Sequence, residues 1–189
     1  MVILNDERIR EYVECGRISV FPRPSDVQFQ PASLDLRLDD LKFVFDTSSG
    51  CVFDTRSGLG VRGGGCLERF SEEDPLVLEP GEFVLTQTLE RVCLPDDLVA
   101  RVEGRSSIGR LGVVVHVTAG FVDPGFCGRI TLEMVNLGGV PVVLYPGMRV
   151  CQLVFEELNA PAVEPYSGVR NKYQHQDYPT PSRIIFDDE

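Results

Sequence analysis

Apolar residues in this chain recur in short runs, not at helical spacing. The runs cover 76 to 79, 83 to 89, 97 to 103, 111 to 117, 129 to 135, 140 to 144 and 148 to 155, each of strand length and bounded by turn residues. Among the boundaries are Glu79-Pro80-Gly81-Glu82, Leu94-Pro95-Asp96-Asp97, Asp123-Pro124-Gly125 and Tyr145-Pro146-Gly147. Proline presets φ in such turns and glycine accepts the left-handed residue. One amphipathic helix is legible near the start: Asn5 caps it, Asp6 and Glu7 suit its positive end, Ile9 and Val13 share a face, and Gly16 closes it. The pattern predicts a mainly β fold, a distorted β-barrel or jelly roll with a short N-terminal helix.

Composition narrows the function classes. With 189 residues, 43% hydrophobic and 25% charged, the chain has the makings of one domain with a sizeable core. A net charge of -11 repels a phosphate backbone, which argues against a nonspecific nucleic-acid binder. No apolar run approaches a membrane span, and MVILNDERIREYVE turns acidic before a signal core forms, so a soluble, cytoplasmic protein without membrane contact is expected. Cys15, Cys51, Cys66, Cys93, Cys127 and Cys151 are too widely spaced for a CxxC knuckle and read as free thiols. With His116 and His175 the only histidines, a catalytic zinc is not expected, and hydrolysis would need a protein base.

The segment SGLGVRGGGC, 57 to 66, carries glycines at dinucleotide-fingerprint spacing, but further glycine and the acidic ERFSEEDP follow where a helix should open. It reads as a mobile surface loop. Two other segments carry more chemistry. Gly104-Arg105-Ser106-Ser107-Ile108-Gly109-Arg110-Leu111-Gly112 gathers two guanidiniums, two hydroxyls and flexible amides after a strand, a set suited to an oligophosphate. In Arg129-Ile130-Thr131-Leu132-Glu133-Met134-Val135, alternation puts Ile130, Leu132 and Met134 on one face and Thr131 and Glu133 on the other. Taken alone, Glu133 reads as a solvated carboxylate and Asp123 as a turn residue.

Together, Pro31-Ala32-Ser33-Leu34-Asp35-Leu36, GRSSIGRLG, GFVDPGFCG, Arg149-Val150-Cys151-Gln152 and the tail pieces Pro165-Tyr166 and Lys172-Tyr173-Gln174-His175-Gln176 resemble the dCTP deaminase branch of the trimeric dUTPase superfamily. The resemblance covers most of residues 1 to 185 and leaves about 46 to 75 unmatched. It implies a dUTPase-type barrel over 1–158, a tail over 159–189 that closes on an active site, and a homotrimer with interfacial sites. It also implies zinc-free deamination of dCTP with Mg2+ held mainly by the substrate phosphates. By position, Glu133 matches the general base, and Ser106 and Arg110 match the groups that orient water and stabilise developing charge. Arg105, Ser107, Ile108, Gly109, Thr131, Leu132, Gln152, Tyr166, Lys172 and Gln176 match positions around the nucleotide, and Phe126 matches the ring that packs on deoxyribose.

Relatives of this kind either stop at dUTP or also cleave it to dUMP and pyrophosphate. Gly120-Phe121 before Val122 resembles the dUMP-forming type, where deaminase-only members of the enterobacterial type carry a bulky basic pair. Glycine leaves room there for a second water, and Asp123 then resembles the dUTPase aspartate that activates it. The alternatives are a deaminase releasing dUTP, a dUTP diphosphatase only, and a noncatalytic nucleotide-binding trimer. His116 reads locally as a satisfied core or interface histidine, while the resemblance places its neighbourhood in feedback by a possible inhibitor, dTTP.

Overall fold

The computed structural model describes residues 2–45, 65–167 and 171–184. Its elements are the helix α1 (Asp6–Glu14), β1 (Ser19–Phe21), a single helical turn at Asp26–Gln28, β2 (Phe29–Gln30), β3 (Ser33–Phe45), β4 (Gly65–Arg69), β5 (Leu76–Leu78), β6 (Phe83–Cys93) and β7 (Leu98–Gly104). There follow the four-residue helical turn α2 (Ser106–Gly109), β8 (Val113–Val114), β9 (Phe121–Val122), β10 (Cys127–Asn136), β11 (Val142–Leu144) and β12 (Arg149–Glu157). The strands form one large antiparallel sheet in the order β8-β10-β6-β3-β12-β7-β9, with β1, β2 and β4 on side branches; β5 and β11 make a separate pair. This curled antiparallel half-barrel with a short N-terminal helix is the mainly β architecture that the turn spacing predicts.

α1 forms as its caps dictate. The Asn5 side chain accepts a hydrogen bond from the Arg8 amide at 3.0 Å, Ile9 is buried, and Gly16 takes the left-handed φ of +79° beyond the C-cap. β10 alternates in exposure along its whole length, so Ile130, Leu132 and Met134 enter the core while Thr131 and Glu133 look outward, as predicted.

Three expectations are corrected. The run 111 to 117 supplies only the two-residue β8, since Leu111 and Val117 are exposed and the backbone turns away on either side. β3, which no apolar run announced, is the longest strand among the described residues; its polar residues Ser33, Asp35 and Asp39 are buried against partners from elsewhere in the chain. The six cysteines are not all free thiols: β6 and β10 pair with Cys127 opposite Cys93, and these two form a disulfide. The strand register brings together residues 34 apart in sequence, a proximity that CxxC spacing does not test. The glycine-rich loop falls outside the described residues up to 64; Gly65 and Cys66 already belong to β4, paired with Phe45 and Val44.

From Leu158 the chain leaves the sheet and then returns along it. The Tyr166 amide donates to the Pro124 carbonyl at 2.7 Å, the His175 amide to the Cys127 carbonyl at 2.7 Å, and the Arg129 amide to the Gln176 carbonyl at 3.0 Å. Asp177 completes the docking through an ion pair with Arg91 at 2.7 Å. Among the described residues no helix is long and apolar enough to cross a membrane.

Candidate active site

The arginine-serine segment ends β7 and turns through α2. Ile108 is its buried anchor, so Ser106, Ser107, Gly109 and Arg110 are held at the surface by a side chain rooted in the core. The Ile108 and Gly109 amides both donate to the Arg105 carbonyl at 3.0 Å. The Arg110 amide donates to the Ser106 carbonyl at 3.0 Å, closing the turn. Arg105, just before it, is half-buried: its Nη1 donates to the Arg149 carbonyl at 2.8 Å, and its Nε lies 3.1 Å from Asp35 Oδ2. Gln152 on β12 donates to the Gly104 carbonyl at 3.1 Å and accepts from the Ser33 hydroxyl at 2.6 Å. Adjacent strands β3, β12 and β7 therefore bring Ser33, Asp35, Gln152 and Arg105 into one polar cluster.

A second cluster forms where the tail lies on the turn before β10. Phe126 is buried and meets Tyr166 edge to face, with ring centroids 5.7 Å apart. The Tyr166 hydroxyl accepts from the Tyr173 amide at 3.1 Å, and burial pushes that phenol above the usual tyrosine range. Gln174 accepts from the Cys127 amide at 2.9 Å and donates to the Gly125 carbonyl at 2.9 Å; Gln176 donates to the Arg129 carbonyl at 2.8 Å. Lys172 belongs to the same stretch, its carbonyl accepting from Arg183 at 2.5 Å. Gly125 has φ +84°, and a Cβ there would come within 2.9 Å of Pro165, so the close approach of the tail requires glycine.

Glu133 and Asp123 lie at the two ends of one loop system. The outward-facing Glu133 carboxylate accepts from the Val117 amide at 3.2 Å. The chain then runs through Gly120 and Phe121 to Asp123, whose carboxyl partial desolvation pushes above the usual aspartate value. A Cβ on Gly120 would sit 2.8 Å from His116 Cε1 and 3.0 Å from the Val102 carbonyl oxygen, so here the absent side chain is filled by the imidazole. Among the described residues His116 Nδ1 is buried with no hydrogen-bond partner, unlike the satisfied histidine expected from its local sequence. Thr131 Oγ1 is likewise buried and unpartnered, and the Leu132 side chain is wholly in the core.

Among the described residues no hydrogen bond joins Glu133 to Ser106 or Arg110. Sequence reasoning assigned no role to Asp35, Arg149 or Gln174. The one available signal for Asp35 was a carboxylate amid Leu34, Leu36 and Leu38, a charge in a strand whose leucines are destined for the core.

A family model described as "dCTP deaminase-like" matches residues 3–158. The chain belongs to this family. It is 48% identical over 191 residues to the "dCTP deaminase, dUMP-forming" of Methanobrevibacter smithii, covering 100% of this chain and 98% of that protein. Against the protein of the same name from Dictyoglomus thermophilum it is 48% identical over 98% of this chain and 96% of that one. The crystal structure of 2'-deoxycytidine 5'-triphosphate deaminase from Agrobacterium tumefaciens superimposes with a TM-score of 0.63 at 28% identity. That match covers 81% of this chain and 47% of that one, so the chain spans about half the length of that solved protein.

Proposed function

We infer that this chain is a dUMP-forming dCTP deaminase: dCTP and water give dUTP and ammonia, and a second water cleaves the α/β-phosphoanhydride to give dUMP and pyrophosphate. The observation that carries this reading is the single loop joining the two carboxylates, with Val117 on Glu133 at one end and Asp123 beyond Gly120 at the other.

Glu133 takes the proton from the water that attacks C4 of cytosine, then returns it to the departing amine, leaving a carbonyl at C4. Ser106 and Arg110 orient that water and stabilise the charge developing on the ring. Arg105, Ser107 and Gln152 bind the triphosphate, Ile108 and Gly109 shape the turn beside it, and Thr131 and the backbone of Leu132 line the base side. Phe126 packs on deoxyribose, and Tyr166, Lys172 and Gln176 arrive with the tail, which closes on the nucleotide and excludes water. Asp123 then activates the second water, and the His116 imidazole, which fills the space beside Gly120, borders that step. Its raised pKa supports this role, because a base poised nearer working pH transfers protons more effectively.

Mg2+ enters as part of the substrate. Among the described residues no three His, Cys, Asp or Glu side chains converge on a metal site, so the donor set suits an ion carried on phosphate oxygens. There it would offset charge on the triphosphate; no zinc is invoked, and Glu133 supplies the base.

The active unit in this reading is a homotrimer with interfacial sites in the cytoplasm, drawing on the free deoxynucleotide pool. Two features support the assembly: among the described residues Glu133 and the Ser106–Arg110 turn make no contact by hydrogen bond within one chain, and Leu111, Val117, Phe121, Leu137 and Val140 are all exposed apolar residues around β8 to β10. dTTP is expected to inhibit by rearranging the His116 segment, whose buried Nδ1 has no partner to hold it; an unchanged dCTP rate curve at saturating dTTP removes that element.

The experiment follows ammonia, dUTP, dUMP and pyrophosphate together after mixing protein with dCTP and Mg2+. Ammonia, dUMP and pyrophosphate rising in equal amounts is the expected outcome. Accumulating dUTP without pyrophosphate leaves a deaminase only, and hydrolysis of added dUTP with dCTP untouched leaves a dUTP diphosphatase.

A further inference from the structure

We propose that Asp35 is a positioning residue, its buried carboxylate fixing the Arg105 guanidinium in the orientation that grips the substrate triphosphate. The proposal rests on the triphosphate role given to Arg105 above.

Asp35 is only 1% exposed, yet it carries a carboxylate near the start of β3. Its Oδ2 lies 3.1 Å from Arg105 Nε and 3.0 Å from Arg149 Nη1. Arg105 is thus held at two atoms, Nε by Asp35 and Nη1 by the Arg149 carbonyl at 2.8 Å. Two anchors define the plane of a guanidinium, and they leave Nη2, which makes no hydrogen bond among the described residues, to face a ligand. The anchor is itself anchored. Gln28 donates to the Asp35 carbonyl and to Glu90 Oε1, both at 2.9 Å, and Glu90 accepts from Arg37 Nε at 2.6 Å.

The charge balance favours an anion site. One carboxylate faces two guanidiniums, leaving local positive charge beside Ser106 in a chain whose net charge is -11. A buried carboxylate whose sole task was stability is an expensive choice, because apolar packing of similar volume serves as well. Holding an arginine in its binding rotamer lowers the ordering cost when the phosphate arrives. Burial raises the Asp35 carboxyl above the usual aspartate range, and the charges of Arg105 and Arg149 oppose that rise.

A double-mutant cycle of Asp35→Asn and Arg105→Ala tests the proposal, reading kcat and apparent KM for Mg-dCTP and competition by inorganic tripolyphosphate. Asp35→Asn is expected to raise KM and the tripolyphosphate inhibition constant by about tenfold with kcat within about threefold, and to add nothing in the Arg105→Ala background. A normal KM in Asp35→Asn, or effects that multiply in the double variant, overturns the positioning role while leaving Arg105 on the phosphates. If Arg105→Ala leaves KM and tripolyphosphate binding unchanged, the assignment of Arg105 fails and the positioning role falls with it. Should Asp35→Asn not fold, Asp35→Glu enters the same cycle: it keeps the charge but displaces the carboxylate, so a raised KM supports the proposal and a normal one overturns it.

Discussion

Glu133 Oε2 lies 3.2 Å from the amide nitrogen of Val117, so one hydrogen bond ties the outward face of β10 to the loop that leads to Asp123. Glu133→Gln preserves an acceptor for that amide but cannot take a proton. Ammonia release is expected to fall by at least roughly 100-fold, with dCTP binding retained. Stopped assays for ammonia and equilibrium binding of dCTP check this; near-normal deamination removes Glu133 from the role of base.

Asp123 separates the two reactions. Asp123→Asn is expected to keep ammonia release and lose pyrophosphate release, so that dUTP accumulates. Because its folded-state pKa is raised by burial, its active carboxylate form is lost on acidification at a pH above the ordinary aspartate value. In stability the sign is opposite to that of a salt-bridged acid: the raised pKa favours folding below the unfolded value, and this contribution is lost as pH rises through the folded value. Parallel pH profiles for ammonia and pyrophosphate decide the point, and coincident acid limbs count against the assignment.

Gly120 packs against an imidazole. The methyl group of Gly120→Ala would come 2.8 Å from His116 Cε1 and 3.0 Å from the Val102 carbonyl oxygen, so ring or backbone must move. The expected outcome is a higher ratio of dUTP to dUMP and a stability loss of roughly 1–3 kcal/mol from overpacking. Product ratios with thermal unfolding measure both, and an unaltered ratio shows that space at Gly120 does not govern the second step.

The Cys93–Cys127 disulfide joins β6 to β10 directly under the docked tail, since the Cys127 amide and carbonyl bond to Gln174 and His175. Cys93→Ala is expected to lower stability by roughly 2–4 kcal/mol, and adding reductant should bring the wild type down to the same level. Unfolding curves with and without reductant test this; identical midpoints for both proteins would show that the bridge does not contribute.

The fold was legible where signals are local. α1 follows from Asn5 and Gly16, and most sheet strands follow from apolar runs between Pro-Gly turns. β3 escaped notice because Asp35, Arg37 and Asp39 interrupt its apolar residues; Asp35 and Asp39 are buried against Arg105, Arg149 and Arg129, and the partly buried Arg37 pairs with Glu90. The opposite error arose at 111 to 117, an apolar run whose outward residues Leu111 and Val117 do not enter this chain's core. At the site, the family resemblance, not residue type alone, pointed to Glu133, Asp123 and the arginine-serine turn, and the polar partners around them lay elsewhere in the chain.

By itself the sequence determined the helix, the turns and the face of β10 that bears Glu133, because capping, φ preference and strand alternation act over a few neighbouring residues. Tertiary structure alone decided that Asp35 meets Arg149 across 114 residues of chain, that Cys93 meets Cys127, and that His116 fills the space at Gly120. Such meetings depend on strand order and register, which are set by the whole core, so no local pattern of residue types encodes them.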